Sequence, residues 1–542
     1  MSFFRYLASR SLAVALFVTG SSPMAWAAGP EVRCLLPAGG QRGTSVEITT
    51  SGNFPKWPVQ AWVDRPGVTL TAAGEKGKLS ASISADATPG LYWIRVCDAY
   101  GASAPQPFIV GTLAEVAEQE PNDNPQKAQT LAAPAVVING RLGAARDADL
   151  FAVGLQKGQT LVASLEAHET LGSPVDSALQ VVSPRGNVLA FNHDQHGLDP
   201  LIVFAAPLDG SYLVRVFGFP STPNSTIALD GGERYVYRLT LTTGAFVDYP
   251  WPLAVTQDRE TRVELFGWNI PDALKSVVVK AEGPRAEIFD GRLANVVPLA
   301  VEPHNTLVEV EPNDPATPQP IELPVTVTGR IDRRRDVDVF GFDARKGESL
   351  VFQLESRSLG YPLDGVLEIT SATGQSLARV DDSDNTRDCV LAFSPPADGR
   401  YRIAVSDLTS EGSPRHVYRL RATRAPVDFA VTADAQAYVL LAGKPTEITL
   451  SIARRGGFDA AIAFNVTGLP DSVSVSQSAP QGDSAQTVKV TLSTTGGAFS
   501  GAIRIVAVAA GASKLTRTAT AAIGGQNART SDLWLTVVPA SP

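Results

Sequence analysis

"GRLGAARDADLFAVGLQKGQTLVASLEA", residues 140–167, returns as "GRIDRRRDVDVFGFDARKGESLVFQLES", residues 329–356, a shift of 189 positions. Self-similarity at a fixed offset marks a repeated structural unit. Working outward, "PLDGSYLVRV" from Pro207 is matched by "PADGRYRIAV" from Pro396, and "YVYRLTL" from Tyr235 by "HVYRLRA" from His416. Upstream, "TLAEVAEQEPND" from Thr112 corresponds to "TLVEVEPND" from Thr306. "RGTSVEITTSGNF" at Arg42 loosely echoes "RETRVELFGWNI" at Arg259. The plan is small unit, larger unit, small unit, larger unit, then a tail. Predicted bounds are 28–111, 112–244, 245–305, 306–424 and 425–542.

The pattern reads as β throughout. "TLVASLEA", "YLVRVFGF" and "VYRLTLT" alternate or cluster β-branched and aromatic residues over strand lengths. With 46 Gly and 39 Pro, turn residues recur every eight to twelve positions. In the tail, "GFDAAIAFNVTGLPDSVSVSQSAP" reads as strand, turn, strand. The expected class is all-β, in tandem β-sandwiches that are jelly-roll-like and immunoglobulin-like.

Residues 1–27 have a basic start, the short apolar run "SLAVALFVTG" and a small-residue "AWA" end. Together these predict a cleaved secretory signal peptide, and hence a secreted, periplasmic or cell-surface protein. No later segment approaches the twenty apolar residues of a membrane span. A formal charge of -9 disfavours nucleic acid and anionic lipid as partners. The three cysteines read in two ways: one Cys34–Cys97 bridge with Cys389 left over, or three buried thiols.

Acidic residues carry the sharpest chemical signal. In an extended segment alternate side chains share a face, so Glu118, Glu120 and Asn122 point together, with Asp123 at the turn. "RDADLF" adds Asp147 and Asp149, also two apart. The second copy offers Glu309, Glu311, Asn313, Asp314, Asp336 and Asp338. Unit charges 4 Å apart repel by about 4 kcal/mol at an effective dielectric of 20, so converging carboxylates call for a cation. Calcium suits an all-oxygen set of carboxylates and amides, whereas magnesium wants a stricter octahedron and zinc wants His or Cys. "EPND" also makes a good turn, and Arg146, Arg334 and Arg335 flank the second acidic piece as alternative neutralisers.

The order E-x-E-P-N-D, G-x-[LI], D-x-D-x-F, KG-x-x-L, DG-x-Y and Y-x-L resembles the bacterial pre-peptidase C-terminal domain, a family that includes the collagen-binding domains of clostridial collagenases. The resemblance covers about residues 112–244 and 306–424. It implies a jelly-roll-like sandwich whose N-terminal linker folds back to bind calcium through the matching acids. Members usually follow a secreted protease, and no protease domain is recognisable before either copy here. "LLPAGGQRGTSVEITTSGNFP" and "ATPGLYWIRVCDAYGAS" resemble the immunoglobulin-like IPT/TIG fold, with 246–305 a looser match.

Other groups read as structure. "NHDQHGLD" holds His193 and His196, but its counterpart "VDDSDNTRD" has no histidine, so a polar hairpin loop is expected over a metal site. Asp194, Asp199, Asp382 and Asp384 remain candidates for a further weak calcium. Trp57, Trp62, Tyr249 and Trp251 are read as seam packing, with sugar or peptide contact as the alternative. No H-E-x-x-H, G-x-S-x-G or phosphate-loop motif occurs. The expectation is therefore a non-enzymatic, calcium-dependent adhesion protein for extracellular matrix, polysaccharide or protein. An accessory subunit of a separate secreted hydrolase is the alternative, with a cryptic hydrolase third.

Overall fold

A computed structural model describes residues 28–222, 228–383, 386–425, 427–477, 486–510, 515–526 and 528–539. The expected signal peptide and Asp384 lie outside the described residues. Among those described, helix is confined to the four-residue turn His168–Leu171 and the 3-10 turns Asp272–Leu274 and Arg357–Leu359. The fold is all-β. No helix among the described residues is long and apolar enough to cross a membrane.

The repeated sequence folds twice into one topology. In the first copy, one sheet runs Glu115–Ala117, Ala135–Arg141, Val236–Thr242, Thr160–Glu166, Leu201–Ala205. Its partner sheet runs Gln129–Thr130, Asp149–Leu155, Gly210–Pro220, Val175–Val182, Val188–Asn192. The second copy has the same two five-stranded orders, beginning with Asn305–Val308 and Gln319–Pro320. Alternation supplies the core. Phe151, Val153 and Leu155 from one sheet meet Leu161, Ala163 and Leu165 from the other, as period-2 side chains must when one face is covered.

Residues 31–111 form a four-stranded and a five-stranded sheet, and Ile48 and Leu79 from one pack on Tyr92, Ile94 and Phe108 from the other. Residues 246–302 form two three-stranded sheets. Beyond residue 427, two further sheets enclose a core that includes Phe429, Leu450, Ile505 and Leu535. The tail segment read as strand, turn, strand does form Ile462–Thr467 and Val473–Gln477. They belong to different sheets, however, pairing Phe499–Ala509 and Thr487–Thr494 respectively. The turn crosses the sandwich rather than closing a hairpin.

Of the two cysteine readings, the Cys34–Cys97 bridge is not formed and the three buried thiols are: all three cysteines are free and buried. Cys34 and Cys97 lie on different sheets, and each thiol faces a different neighbouring unit. Cys34 packs with Leu171 and Val236, and its Sγ–H reaches the Glu233 carbonyl at 3.3 Å. Cys97 interacts with Ser500 in the C-terminal unit. Cys389 is core, and burial pushes its thiol up to about 12.

Aromatic residues hold seams, as the sequence indicates. Tyr249 stacks on Phe266 at 5.0 Å, meets Tyr361 edge-on, and donates its hydroxyl to the Pro414 carbonyl. Trp251 lies under Arg330, and Trp62 meets Trp534 of the C-terminal unit at 5.9 Å. Trp57 stays inside its own unit, against Phe54. Beside Tyr249, Arg415 grips the buried Asp248 through two hydrogen bonds of 2.6 and 3.0 Å. Removing one partner of such a pair strands a charge. Arg415→Met is therefore expected to lower unfolding free energy by about 3 kcal/mol, read by denaturant titration against wild type.

Candidate metal centre

The acidic elbow is the place where the chain leaves one sheet and enters the other. Glu115–Ala117 pairs in parallel with Ala135–Arg141 at the edge of the first sheet; Gln129–Thr130 pairs in parallel with Asp149–Leu155 at the edge of the second. Gln129 ties the crossing, accepting from the Gln119 N–H and donating to the Ala117 carbonyl. Gln319 does the same for Val310 and Val308 in the second copy.

At this crossing the carboxylates form two tiers. In the outer tier Glu120, Asp147 and Asp149 each bring an oxygen within 4.8 Å of the others, as do Glu311, Asp336 and Asp338 in the second copy. Neighbouring N–H groups orient them: Asn122 donates to Glu120 at 2.9 Å, Gly143 to Asp147, Asn313 to Glu311 at 3.0 Å and Asp332 to Asp336 at 2.9 Å. An open cleft of about 300 Å³, whose lining includes Glu120, Asp123 and Asp147, leads to the first cluster.

The inner tier holds Glu118 and a tyrosine that sequence reasoning passed over. The Tyr237 hydroxyl lies 2.6 Å from Asp149 and 3.0 Å from Glu118, and Glu118 also accepts from the Arg141 N–H at 2.8 Å. Tyr418 donates to Asp338 at 2.6 Å in the second copy. Both tyrosines appeared in the Y-x-L part of the repeat and were read only as strand. The glycine of each "GR" pair is explained by the same packing. A Cβ at Gly140 would overlap the Tyr237 ring and the Glu118 carboxylate, and one at Gly329 would overlap Tyr418 and Glu309.

Burial raises the pKa of the carboxyls around the inner tier, with neighbouring carboxylate charge adding to it. Glu118 and Asp149 are both pushed up, as are Glu309 and Asp338. One hydroxyl proton cannot serve two carboxylates, so the tier needs either another proton or a cation.

Not every sequence candidate joins the cluster. Asp314 accepts from the Ala316 and Thr317 N–H groups and caps a turn. Asp123 is exposed at the rim of the cleft. Asn122 is fully buried against the first cluster with neither amide atom hydrogen-bonded, and Asp149 Oδ1 is likewise unpartnered. Asn313, with its nitrogen turned to the carboxylates, donates to Asp338 at 3.1 Å and Glu311 at 3.2 Å. Turned the other way, its oxygen would face those same two oxygens, which is favourable only around a cation. The donor set is entirely oxygen, matching calcium or a similar hard ion.

Elsewhere the weaker candidates resolve into structure. Asp199 accepts three N–H groups, from Ala167, His168 and Glu169, and Asp388 does the same for Ser356, Arg357 and Ser358. His196 lies 3.2 Å from the Gly360 carbonyl, and His193 pairs with Asp194. Among the described residues, no group of three potential ligands includes either histidine or Asp382.

Comparison with known proteins places part of this chain. The family model of the bacterial pre-peptidase C-terminal domain matches residues 336–407, inside the second large sandwich. A probable subtilase-type serine protease of Deinococcus radiodurans is 31% identical over 240 residues, covering 43% of this chain. Those residues span 27% of that protein's length. Among solved structures, surface layer protein SbsC, domains 1–6, aligns over 77% of this chain and 55% of its own at 10% identity, with a TM-score of 0.15. The S-layer protein rSbsC aligns over 74% and 55%, also at 10% identity, with a TM-score of 0.14. Likenesses this loose carry nothing about fold or function.

Tyr237→Phe removes the hydroxyl and leaves Asp149 without that donor in a buried position. In chelator, the variant is expected to be less stable by about 1–3 kcal/mol, measured by chemical denaturation. Phe at the half-buried Tyr100, whose ring lies under Lys56, is the control.

Proposed function

We propose that this chain is an exported, non-enzymatic binding protein in which both large sandwiches are pre-peptidase C-terminal domains holding calcium at the acidic crossing. The observation that carries this reading is Asn122, wholly buried and unpaired at both amide atoms, whose backbone donates to Glu120 and accepts from Leu150 beside the three converging carboxylates. A cation there would accept oxygens from Glu120, Asn122, Asp147 and Asp149, while Glu118 and Tyr237 hold Asp149 from behind. Calcium supplies the positive charge that the cluster otherwise takes from protons. At calcium tenfold above its Kd, each ion adds only about 1.4 kcal/mol, so its effect is local ordering of the crossing.

The binding target is read as extracellular matrix, polysaccharide or protein at the cell surface or in the periplasm. A second reading, an accessory subunit of a separately encoded secreted hydrolase, draws on the subtilase-type relative. Retention on insoluble polysaccharide or matrix protein favours the first, and co-purification of a hydrolase from culture medium the second.

Calorimetric titration of chelator-treated protein with calcium chloride tests the site. Wild type is expected to bind, and Glu120→Ala or Asp149→Asn to abolish the first site's contribution and expose residues 112–125 to proteolysis. Unchanged titrations in both variants would remove calcium from this position.

A further inference from the structure

The two acidic crossings are built on one backbone but neutralised differently. "GAARD", residues 143–147, aligns with "DRRRD", residues 332–336. Arg146 and Arg335 occupy the same left-handed position, with φ of 71° and 63°, so this pair serves the turn in both copies. Arg334 reaches away to Glu411 at 3.0 Å. Arg333, which stands where the first copy has Ala144, points its Nε at Asp336 Oδ1, 3.6 Å away. Among the described residues, no Lys, Arg or His forms an ion pair with Glu120, Asp147 or Asp149.

The asparagines differ in the same sense. With its nitrogen turned to them, Asn313 bridges Glu311 and Asp338, and in that orientation the second cluster satisfies its own acceptors. To offer its oxygen to a cation, that amide must turn over and give up both bonds. Asn122 makes no such bonds and has nothing to give up.

Resting on the cation-binding reading above, we propose that the two sites are unequal. The first fills at the lower cation concentration, and the second is held partly closed by Arg333 as a tethered cation and by the Asn313 bridge. Arg333 is the residue that sets the affinity of the second site. Its side chain is 80% exposed, so the ion pair alone accounts for about a two- to fivefold effect, the range of an exposed pair. The Asn313 bridge widens the gap further.

Full-length, chelator-treated protein titrated with calcium chloride by calorimetry decides the matter. Asp338→Asn leaves only the first site and Asp149→Asn only the second, and each substitution nearly preserves side-chain volume. The first site is expected to bind more tightly than the second. Arg333→Ala, added to Asp149→Asn, is expected to tighten the second site two- to fivefold. Ala144→Arg, added to Asp338→Asn, is expected to weaken the first by a similar factor. The calcium-dependent rise in thermal midpoint provides a second readout for any variant of reduced stability. Equal affinities, or no change on Arg333→Ala and Ala144→Arg, overturn the inequality and leave the calcium reading standing. Absence of binding at both sites in wild type overturns the calcium reading itself.

Discussion

Negative charge packed at the end of a sandwich is the constraint around which each large unit is organised. The chain must cross from one sheet to the other somewhere, and it does so with Glu118 and Glu120, or Glu309 and Glu311, on the crossing segment. The aspartates two apart at the start of the facing strand close the ring of acids. Such a cluster cannot stay fully ionised in a buried setting, so something positive must be supplied: protons, a metal or an arginine. Glycine at positions 140 and 329, the buried tyrosines and the tying glutamines all follow from keeping those oxygens close.

Much of this was legible from one chain because it occurs twice. Repetition of "EPND" with "D-x-D" pointed to Glu120, Asp147 and Asp149 acting together, and alternation gave the strands that carry them. Long-range partners were hidden. Nothing local marks Tyr237 as a neighbour of Glu118, 119 positions away in sequence. Asp123 and Asp314 looked equivalent to the other acids, yet turn geometry draws Asp314 into a cap and leaves Asp123 at the rim. Spacing suggested a Cys34–Cys97 bridge as one reading because the two residues lie at opposite ends of one predicted unit. Which sheet each strand joins, and therefore which way each thiol faces, depends on pairing that the sequence does not display. The tail segment hid a sheet change for the same reason.

Between the sandwiches, small apolar clusters are joined by a few large polar and aromatic side chains. Tyr249 and Asp248 with Pro414 and Arg415 join the 245–305 unit to the second large sandwich, and Arg421 on Glu302 joins the same two units. Such contacts depend on orientation, since a bidentate guanidinium or a stacked ring loses its energy with small rotations. The acidic crossing adjoins this system through adjacent residues of one strand. Tyr237 faces the acids while Arg238 pairs with Glu115 and lies against Gly39 of the preceding unit.

The first and last units also touch. Trp62 meets Trp534, and the fully buried Arg95 sits over the same indole with a hydrogen bond to the Gln436 carbonyl. Units strung in series transmit a pull one after another, but here a clasp bridges the span from residue 28 to residue 539. Tension applied between those points is borne first by this clasp, together with the Cys97–Ser500 contact and the Gln526–Leu171 hydrogen bond, before the intervening sandwiches carry it in series.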